Sequence, residues 1–167
     1  MASAAEIARI DDELCRAYEG ECWHGPPLVR ILNGITAEVA ARKHPDLAHS
    51  IWGLVLHLTV WVEVVRLRLT EGRPILEPVR GDFPPVTDTS PAAWAGALAE
   101  LGTEVRRLRD VVRGLDPARP DETVPGIDEQ LLGKDYPVAV TLHGTAQHMA
   151  YHAGQIALLK KLVAQSA

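Results

Sequence analysis

The amino-acid sequence predicts an all-α fold, a four-helix bundle with long proline-rich connections. Four long segments carry apolar residues at helical spacing, and each has a recognisable start or stop signal. No segment alternates apolar and polar residues as a half-buried strand does. The connections are rich in proline, which ends helices and has no backbone donor. We expect the 167 residues to form a single domain, 1–167, of this kind.

The first long helix is predicted over residues 3–20. Ser3 and Glu6 have the spacing of a capping box, and the apolar residues of this segment share one face. The following stretch, 28–45, has room for one or two short helices, interrupted near Gly34 and ended by Pro45.

The second long helix is predicted over residues 50–72. Ser50 can cap its start and Gly72 can end it. Its sequence, SIWGLVLHLTVWVEVVRLRLTEG, is apolar around most of the circumference, so we expect the helix to lie centrally. Residues 73–89 contain four prolines and predict a long irregular connection.

The third and fourth long helices are predicted from the same kinds of start and stop signals. Ser90 can cap the third, Pro91 occupies its first position and Gly114 ends it. A second irregular stretch, 115–134, precedes the last helix, which is predicted from about residue 136 to about residue 164.

The composition is that of a soluble globular protein: 47% of the residues are hydrophobic, 23% are charged and the net charge is −5. The longest basic block is RRLR at 106–109, whereas nucleic-acid binding needs a concentrated basic face. We therefore expect the arginines at 106, 107, 109 and 113 to form a solvated helix face, and we expect no nucleic-acid partner.

The sequence also predicts a cytoplasmic protein without a membrane partner. No apolar run approaches the ~20 residues needed to cross a bilayer, and MASAAEIARIDDEL lacks the charged-then-apolar order of a signal peptide. Without an export signal, Cys15 and Cys22 are predicted to be free thiols in a reducing compartment.

The last helix contains two histidines on a predicted inward seam. Heptad spacing places the residues at 141, 145, 148, 152, 155, 159 and 162 on one face, so His148 and His152 lie one turn apart. Chance alone supplies roughly 0.3 such pairs in a chain with seven histidines, so the spacing by itself is weak. Two buried imidazoles nevertheless need partners, and a shared metal ion would satisfy both.

A third ligand is predicted on the second long helix. His57 lies inside the apolar segment LVLHLTVW, and a lone buried histidine is usually a core residue with a hydrogen-bond partner. If the second and fourth long helices pack side by side, His57 can meet His148 and His152. Three buried histidines with few acidic neighbours favour a metal site.

These segments resemble those of a known family. HMAYHAGQIALLKK, together with HSIWGLVLHLTVW and CWHGPPLVRILNGITAE, is similar to the DinB-like (damage-inducible) superfamily of bacterial four-helix bundles. Its hallmarks are one histidine on the second helix and H-x-x-x-H-x-G-Q on the fourth, and the similarity extends from Trp23 to Lys161. The resemblance implies that His57, His148 and His152 bind a divalent ion, nickel or zinc, and that the protein is a homodimer.

Three functions remain open at the level of sequence. Family members with known activity include bacillithiol transferases and the mycothiol-dependent maleylpyruvate isomerase, which implies a metal-dependent enzyme acting on a small molecule or a low-molecular-weight thiol. If the bound ligand is water, the activity is that of a hydrolase. The alternatives are a metal-binding stress-response bundle without turnover and, against the acidic composition, a DNA-associated protein.

Four further residues are candidates for roles near the metal. Gln155 lies on the seam and is predicted to orient a ligand or to form an interhelical hydrogen bond. His24 and Trp61 are predicted to lie at the mouth or wall of the pocket. Gly154 is predicted to let a neighbouring helix or the pocket approach closely, since glycine costs about 1 kcal/mol in a helix.

The other histidines are predicted to lie outside the site. His44 and His49 fall in a loop, and His143 points about 140° away from His148 on the last helix. No general base is assigned.

Overall fold

A computed structural model of the chain describes residues 4–72, 75–124 and 136–165. Within these ranges the structure is all-helical and has no strands, as predicted. The α-helices are Ala4–Tyr18 (α1), Leu28–Leu32 (α2), Ala37–Ala41 (α3), Ile51–Glu71 (α4), Pro91–Arg113 (α5) and Val138–Gln165 (α6), with a short 3₁₀ turn at Arg119–Asp121. No helix among the described residues is long and apolar enough to cross a membrane.

The predicted caps set the ends of the long helices. The hydroxyl oxygens of Ser50 and Ser90 accept hydrogen bonds from Gly53 N at 3.1 Å and Ala93 N at 3.2 Å, at the starts of α4 and α5. Gly72 ends α4 in the left-handed conformation, with φ of 61°. Ser3, the predicted cap of α1, lies outside the described residues.

The four long helices form a ring in which each packs against two others. α1 packs against α5 and α6, and α4 packs against α5 and α6. The short helices α2 and α3 cover one end and contact α6. The core is formed by fully buried side chains from all four long helices, including Leu14, Leu58, Leu101, Leu108, Met149 and Ile156.

Ion pairs hold α1 to α5 at the surface. Arg109 Nε donates to Asp11 Oδ1 at 2.7 Å, and Arg113 Nη1 lies 3.2 Å from the same oxygen. The predicted solvated arginine face is therefore partly occupied by contacts within the bundle.

The connection between α4 and α5 is irregular, as its prolines predict, and it returns to the side of α4. Asp82 and Phe83 reach the α4 residues His57 and Trp61, and His57 in turn contacts α6. Arg68 on α4 is buried and donates two hydrogen bonds to the carbonyl oxygen of Ile75, which fixes the start of the described part of this connection. The loop thereby supplies groups that the helices alone do not.

Candidate metal centre

Three histidine rings from α4 and α6 converge. Nε2 of His148 lies 3.1 Å from Nε2 of His57 and 2.9 Å from Nε2 of His152. One ligand nitrogen from each ring falls within 4.8 Å of the other two, and this is a group that could hold a metal ion. The structure therefore brings together the three histidines that the sequence predicted to meet.

The buried face of α6 is rotated slightly from the predicted seam. Residues 145, 152 and 159 are buried as predicted, but 141, 148, 155 and 162 are half-buried, and their successors are buried instead, namely Leu142, Met149, Ile156 and Val163. His148 and Gln155 consequently lie at the edge of the core. A site at this edge has one side toward the packed interior and one side toward solvent.

His57 is oriented by the loop that follows α4. Its Nδ1 lies 2.9 Å from the carbonyl oxygen of Asp82 and 3.0 Å from the carboxylate Oδ1 of the same residue. Trp61, one turn further along α4, donates its Nε1–H to that carboxylate at 2.6 Å. Trp61 thus acts through Asp82. No sequence pattern indicated Asp82, because the path of an irregular loop has no periodicity.

His152 is oriented from its own helix. Its Nδ1 lies 2.7 Å from Oε1 of Gln155, three residues further along α6. This contact lies within α6, so it is the one that the predicted orienting role of Gln155 would use and is not the interhelical hydrogen bond of the alternative prediction. An amide oxygen accepts, so the ring donates its Nδ1–H here.

These outer hydrogen bonds determine which nitrogen of His57 and of His152 is free. Because Asp82 and Gln155 present acceptors, Nδ1 of His57 and Nδ1 of His152 each carry a hydrogen, and the Nε2 atoms keep their lone pairs. A single proton on Nε2 of His148 can serve only one of the two contacts that this nitrogen makes. One cation at the centre would satisfy all three lone pairs.

The dimensions and chemistry of the donor set also fit a metal ion. Three neutral imidazoles are a common set for zinc and other late first-row ions. Nitrogens about 2.0–2.1 Å from a tetrahedral zinc lie roughly 3.3 Å from one another, close to the observed contacts of 2.9 and 3.1 Å.

The environment of His148 and His152 lowers the pKa of both rings. Burial lowers the pKa of His148 to about 4, with smaller contributions from His152 and His57. Burial also lowers the pKa of His152 against the opposing effect of its hydrogen bond to Gln155, and His57 and His49 lower it further. Neutral imidazole is the form that binds a metal.

A stack of three rings lies beside the triad. Phe83 is parallel to His57, with ring centroids 4.3 Å apart, and on its other side it is parallel to His49 at 3.6 Å. His49 lies in the loop before α4, as predicted, but its place in this stack was not predicted. Phe83 is the only phenylalanine of the chain, and its position depends on the same irregular loop as that of Asp82.

Other sequence candidates lie elsewhere. His24 is exposed and lines a separate depression with Cys22 and Trp23, and none of the triad lines it. His143 bridges two carboxylates of α1: its Nε2 lies 2.9 Å from Glu6 and its Nδ1 lies 2.7 Å from Glu13.

The prediction for Gly154 is wrong. The residue is exposed, and a Cβ built at this position would meet nothing within 4 Å. Neither a helix nor the site approaches Gly154 closely among the described residues, so the packing of this chain does not explain the glycine.

Comparison with known proteins locates the site within a family. A family model described as the DinB superfamily matches residues 27–156. The matched stretch contains all three histidines, Asp82 and Gln155. No curated protein and no solved structure matches the chain significantly.

Proposed function

The chain belongs to the DinB superfamily, and from that premise we propose that it is a divalent-metal-dependent enzyme acting on a small molecule. If the metal binds a low-molecular-weight thiol, the reaction is transfer of that thiol to a substrate or a thiol-dependent isomerisation. If the metal binds water, the reaction is a hydrolysis. The convergence of three Nε2 atoms from two helices, at 2.9 and 3.1 Å, is the observation that carries the proposal.

In such a reaction, Asp82 and Gln155 would orient the histidine rings that hold the metal. Asp82 and Gln155 hold hydrogens on the outer nitrogens of His57 and His152 and so direct the lone pairs of Nε2 inward. Three neutral ligands leave the charge of a divalent cation uncompensated, and a bound cation would lower the pKa of a thiol or water and polarise a carbonyl.

The two reaction types differ in what replaces the leaving group. In a thiol transfer the S–H bond of the thiol and the bond from the substrate carbon to its leaving group both break, a C–S bond forms, and the proton departs with the leaving group. In a hydrolysis water is added across the cleaved bond. The three histidines are compatible with both reactions.

The edge position of the site favours an enzyme over a binding protein without turnover. A structural metal site is normally closed by four protein ligands, whereas the cluster found among the described residues offers three. His148 is half-buried rather than buried. A non-catalytic metal-binding stress-response bundle is the second candidate, and turnover separates it from the first.

We propose zinc or nickel as the metal. Both ions accept imidazole nitrogen, and three histidines alone do not select between them, since occupancy follows availability and geometry.

Elemental analysis of the purified protein tests the site. We expect about one divalent ion per chain in the parent and its loss in His57→Ala, His148→Ala and His152→Ala, because each variant removes one of three ligands. His44→Ala is the matched control, since His44 lies in the loop before α4 and its ring accepts a hydrogen bond from the nearby backbone N–H of Asp46. Stoichiometric metal retained in any triad variant would remove that histidine from the site.

A screen of thiols with electrophiles, and of ester and amide substrates, tests the activity. We expect turnover that a chelator abolishes and that added metal restores. A metal-loaded protein without turnover across a broad panel would favour the binding bundle.

Several properties implied by the sequence and its resemblance stay predictions: a homodimer, a cytoplasmic location and no nucleic-acid partner. Light scattering of the purified protein measures its oligomeric state, and a gel-shift assay with duplex DNA tests for nucleic-acid binding.

A further inference from the structure

We propose that the cavity beside Gln155 and His49 is the substrate pocket of this site, and that it takes an uncharged molecule with an aliphatic or aromatic body and a hydrogen-bonding head group. This inference rests on the proposed function, because it assigns the cavity to the substrate of the metal centre.

The walls of the cavity are apolar. Its volume is about 350 Å³, within the range of roughly 300–1,000 Å³ that is usual for small-molecule sites. Four leucines line it, namely Leu47, Leu54, Leu158 and Leu159. No Asp, Glu, Lys or Arg is among its lining residues, so a charged ligand would lose hydration there without gaining a carboxylate, ammonium or guanidinium partner.

Two of these leucines are exposed although they are large and apolar. Leu158 is 57% exposed and Leu47 is 39% exposed. Exposed apolar side chains that gather around a concave surface are typical of a binding site, whereas isolated ones are not informative. Leu54 and Leu159 are buried and form the deeper wall.

The polar groups of the cavity are Gln155 and His49. The oxygen of Gln155 is occupied by His152, but no described residue accepts from its NH₂ group. The ring nitrogens of His49 likewise have no hydrogen-bond partner among the described residues, although the ring is stacked on Phe83. A few polar groups on otherwise apolar walls can fix the orientation of a ligand.

The same two residues connect the cavity to the metal centre. Gln155 contacts His152 directly at 2.7 Å. His49 stacks on Phe83, which stacks on His57. A ligand that pairs with Gln155 and His49 and extends its body along the leucines therefore lies next to the rings of the triad, with its reactive end directed toward them.

The first experiment requires no metal. 1-Butanol, 1-hexanol and 1-octanol are titrated into the full chain while backbone amide shifts are followed by NMR. We expect shifts clustered at residues 47–54 and 155–159 and an affinity that rises about four-fold per added methylene until the cavity is full. Leu158→Glu should weaken 1-hexanol binding at least ten-fold by placing a charge at the rim.

Leu76→Glu is the matched control, since Leu76 is 46% exposed and lies away from this cavity. It should bind like the parent. Shifts centred elsewhere, or equal binding by Leu158→Glu and the parent, would overturn the proposal.

The second experiment links the cavity to the metal. Acetohydroxamate and hexanohydroxamate are titrated into cobalt-loaded protein and the visible spectrum is recorded. We expect both to perturb the spectrum, with hexanohydroxamate binding at least ten-fold more tightly in the parent and in Leu76→Glu but not in Leu158→Glu. Equal affinities of the two hydroxamates in the parent would show that the cavity does not serve the metal centre and would overturn the inference.

Failure of the proposed function gives a different result. If cobalt is not retained, or if neither hydroxamate changes its spectrum, the histidines do not form a metal site with an open coordination position. The assignment of the cavity to a substrate of that site is then wrong as well. The alcohol titration then shows whether the cavity binds apolar molecules independently.

Discussion

At the scale of single residues, His57 and His152 are oriented by hydrogen bonds to their outer ring nitrogens, on the side of each ring away from the shared centre. Asp82 and Gln155 each accept from an outer ring nitrogen, and Trp61 holds the Asp82 carboxylate in place. Such outer hydrogen bonds fix the tautomer and raise the basicity of a metal ligand. The residues that orient the histidines of the candidate metal centre are therefore distinct from the three that would bind a metal.

Asp82→Ala is expected to weaken metal binding about ten-fold. Loss of such an outer partner costs roughly 10- to 100-fold in affinity, and we expect the lower figure because the backbone carbonyl of residue 82 still accepts from His57. Competition with a chromophoric chelator measures the dissociation constant. Asp12→Ala, which removes an exposed carboxylate of α1, is the control for net charge, and an equal effect of both variants would contradict the prediction.

At the scale of helices, α1 is fastened to α6 by a histidine that belongs to no metal site. Burial alone would lower the pKa of His143, but its hydrogen bonds to Glu6 and Glu13 outweigh burial and raise it. The same contact is the largest cause of the lowered pKa of Glu6. The protonated ring thus joins the two helices through two carboxylates.

This contact makes the free energy of unfolding depend on pH. Because the pKa of His143 is higher in the folded chain than the ordinary 6.5, its stabilisation is complete below about pH 6.5 and is lost as pH rises through the folded pKa. Urea unfolding of the parent and of His143→Gln from pH 5.5 to 9 should show a difference on the order of 1 kcal/mol that declines at high pH. A difference independent of pH would contradict the role of the charge.

Two glycines at different places in the helices are expected to respond oppositely to alanine. Gly154→Ala should raise the free energy of unfolding by about 0.5–1 kcal/mol, because the site is exposed and the added methyl group meets nothing. Gly72→Ala should lower it by about 1–2 kcal/mol, because φ is 61° there. Thermal and urea unfolding measure both, and destabilisation by Gly154→Ala would show that this position is packed against a partner.

At the scale of the whole molecule, the metal centre lies across the contact between α4 and α6. A cation bound there joins two helices that are otherwise held by packing, and it binds the folded chain in preference to the unfolded chain. Metal at 100 times its dissociation constant should therefore stabilise the parent by about 2.7 kcal/mol. Scanning calorimetry with metal and with chelator measures this gain, and a comparable gain in His57→Ala would place the effect outside the triad.

Most of the helical framework was predictable because its signals are local. Ser50, Ser90 and Gly72 mark helix ends through contacts within a few residues of themselves. The approach of His57 to His148 and His152 followed from periodicity combined with the assumption that α4 and α6 are neighbours, which the structure confirms. The fold and the triad were therefore accessible from the sequence.

The groups around the triad were less accessible. Asp82 and Phe83 lie on a connection whose path depends on tertiary contacts, so no spacing rule brings them to His57. α6 is rotated by part of a turn relative to the predicted seam, and this places His148 at the edge of the core. A heptad pattern does not define the orientation of a helix closely enough to predict such a small rotation. The predicted close approach at Gly154 was wrong because it assumed that a glycine within a helix indicates close packing.

The separation of the ligands along the chain has a consequence for biosynthesis. His57 and His148 are 91 positions apart, which corresponds to roughly 5 to 18 s of translation at the usual rate of about 5–20 residues per second. During that interval the nascent polypeptide presents only one imidazole of the triad, His57, and cannot chelate an ion through all three. Binding of a cation by all three histidines would therefore have to wait until residues 148 and 152 have been synthesised and have emerged from the ribosome.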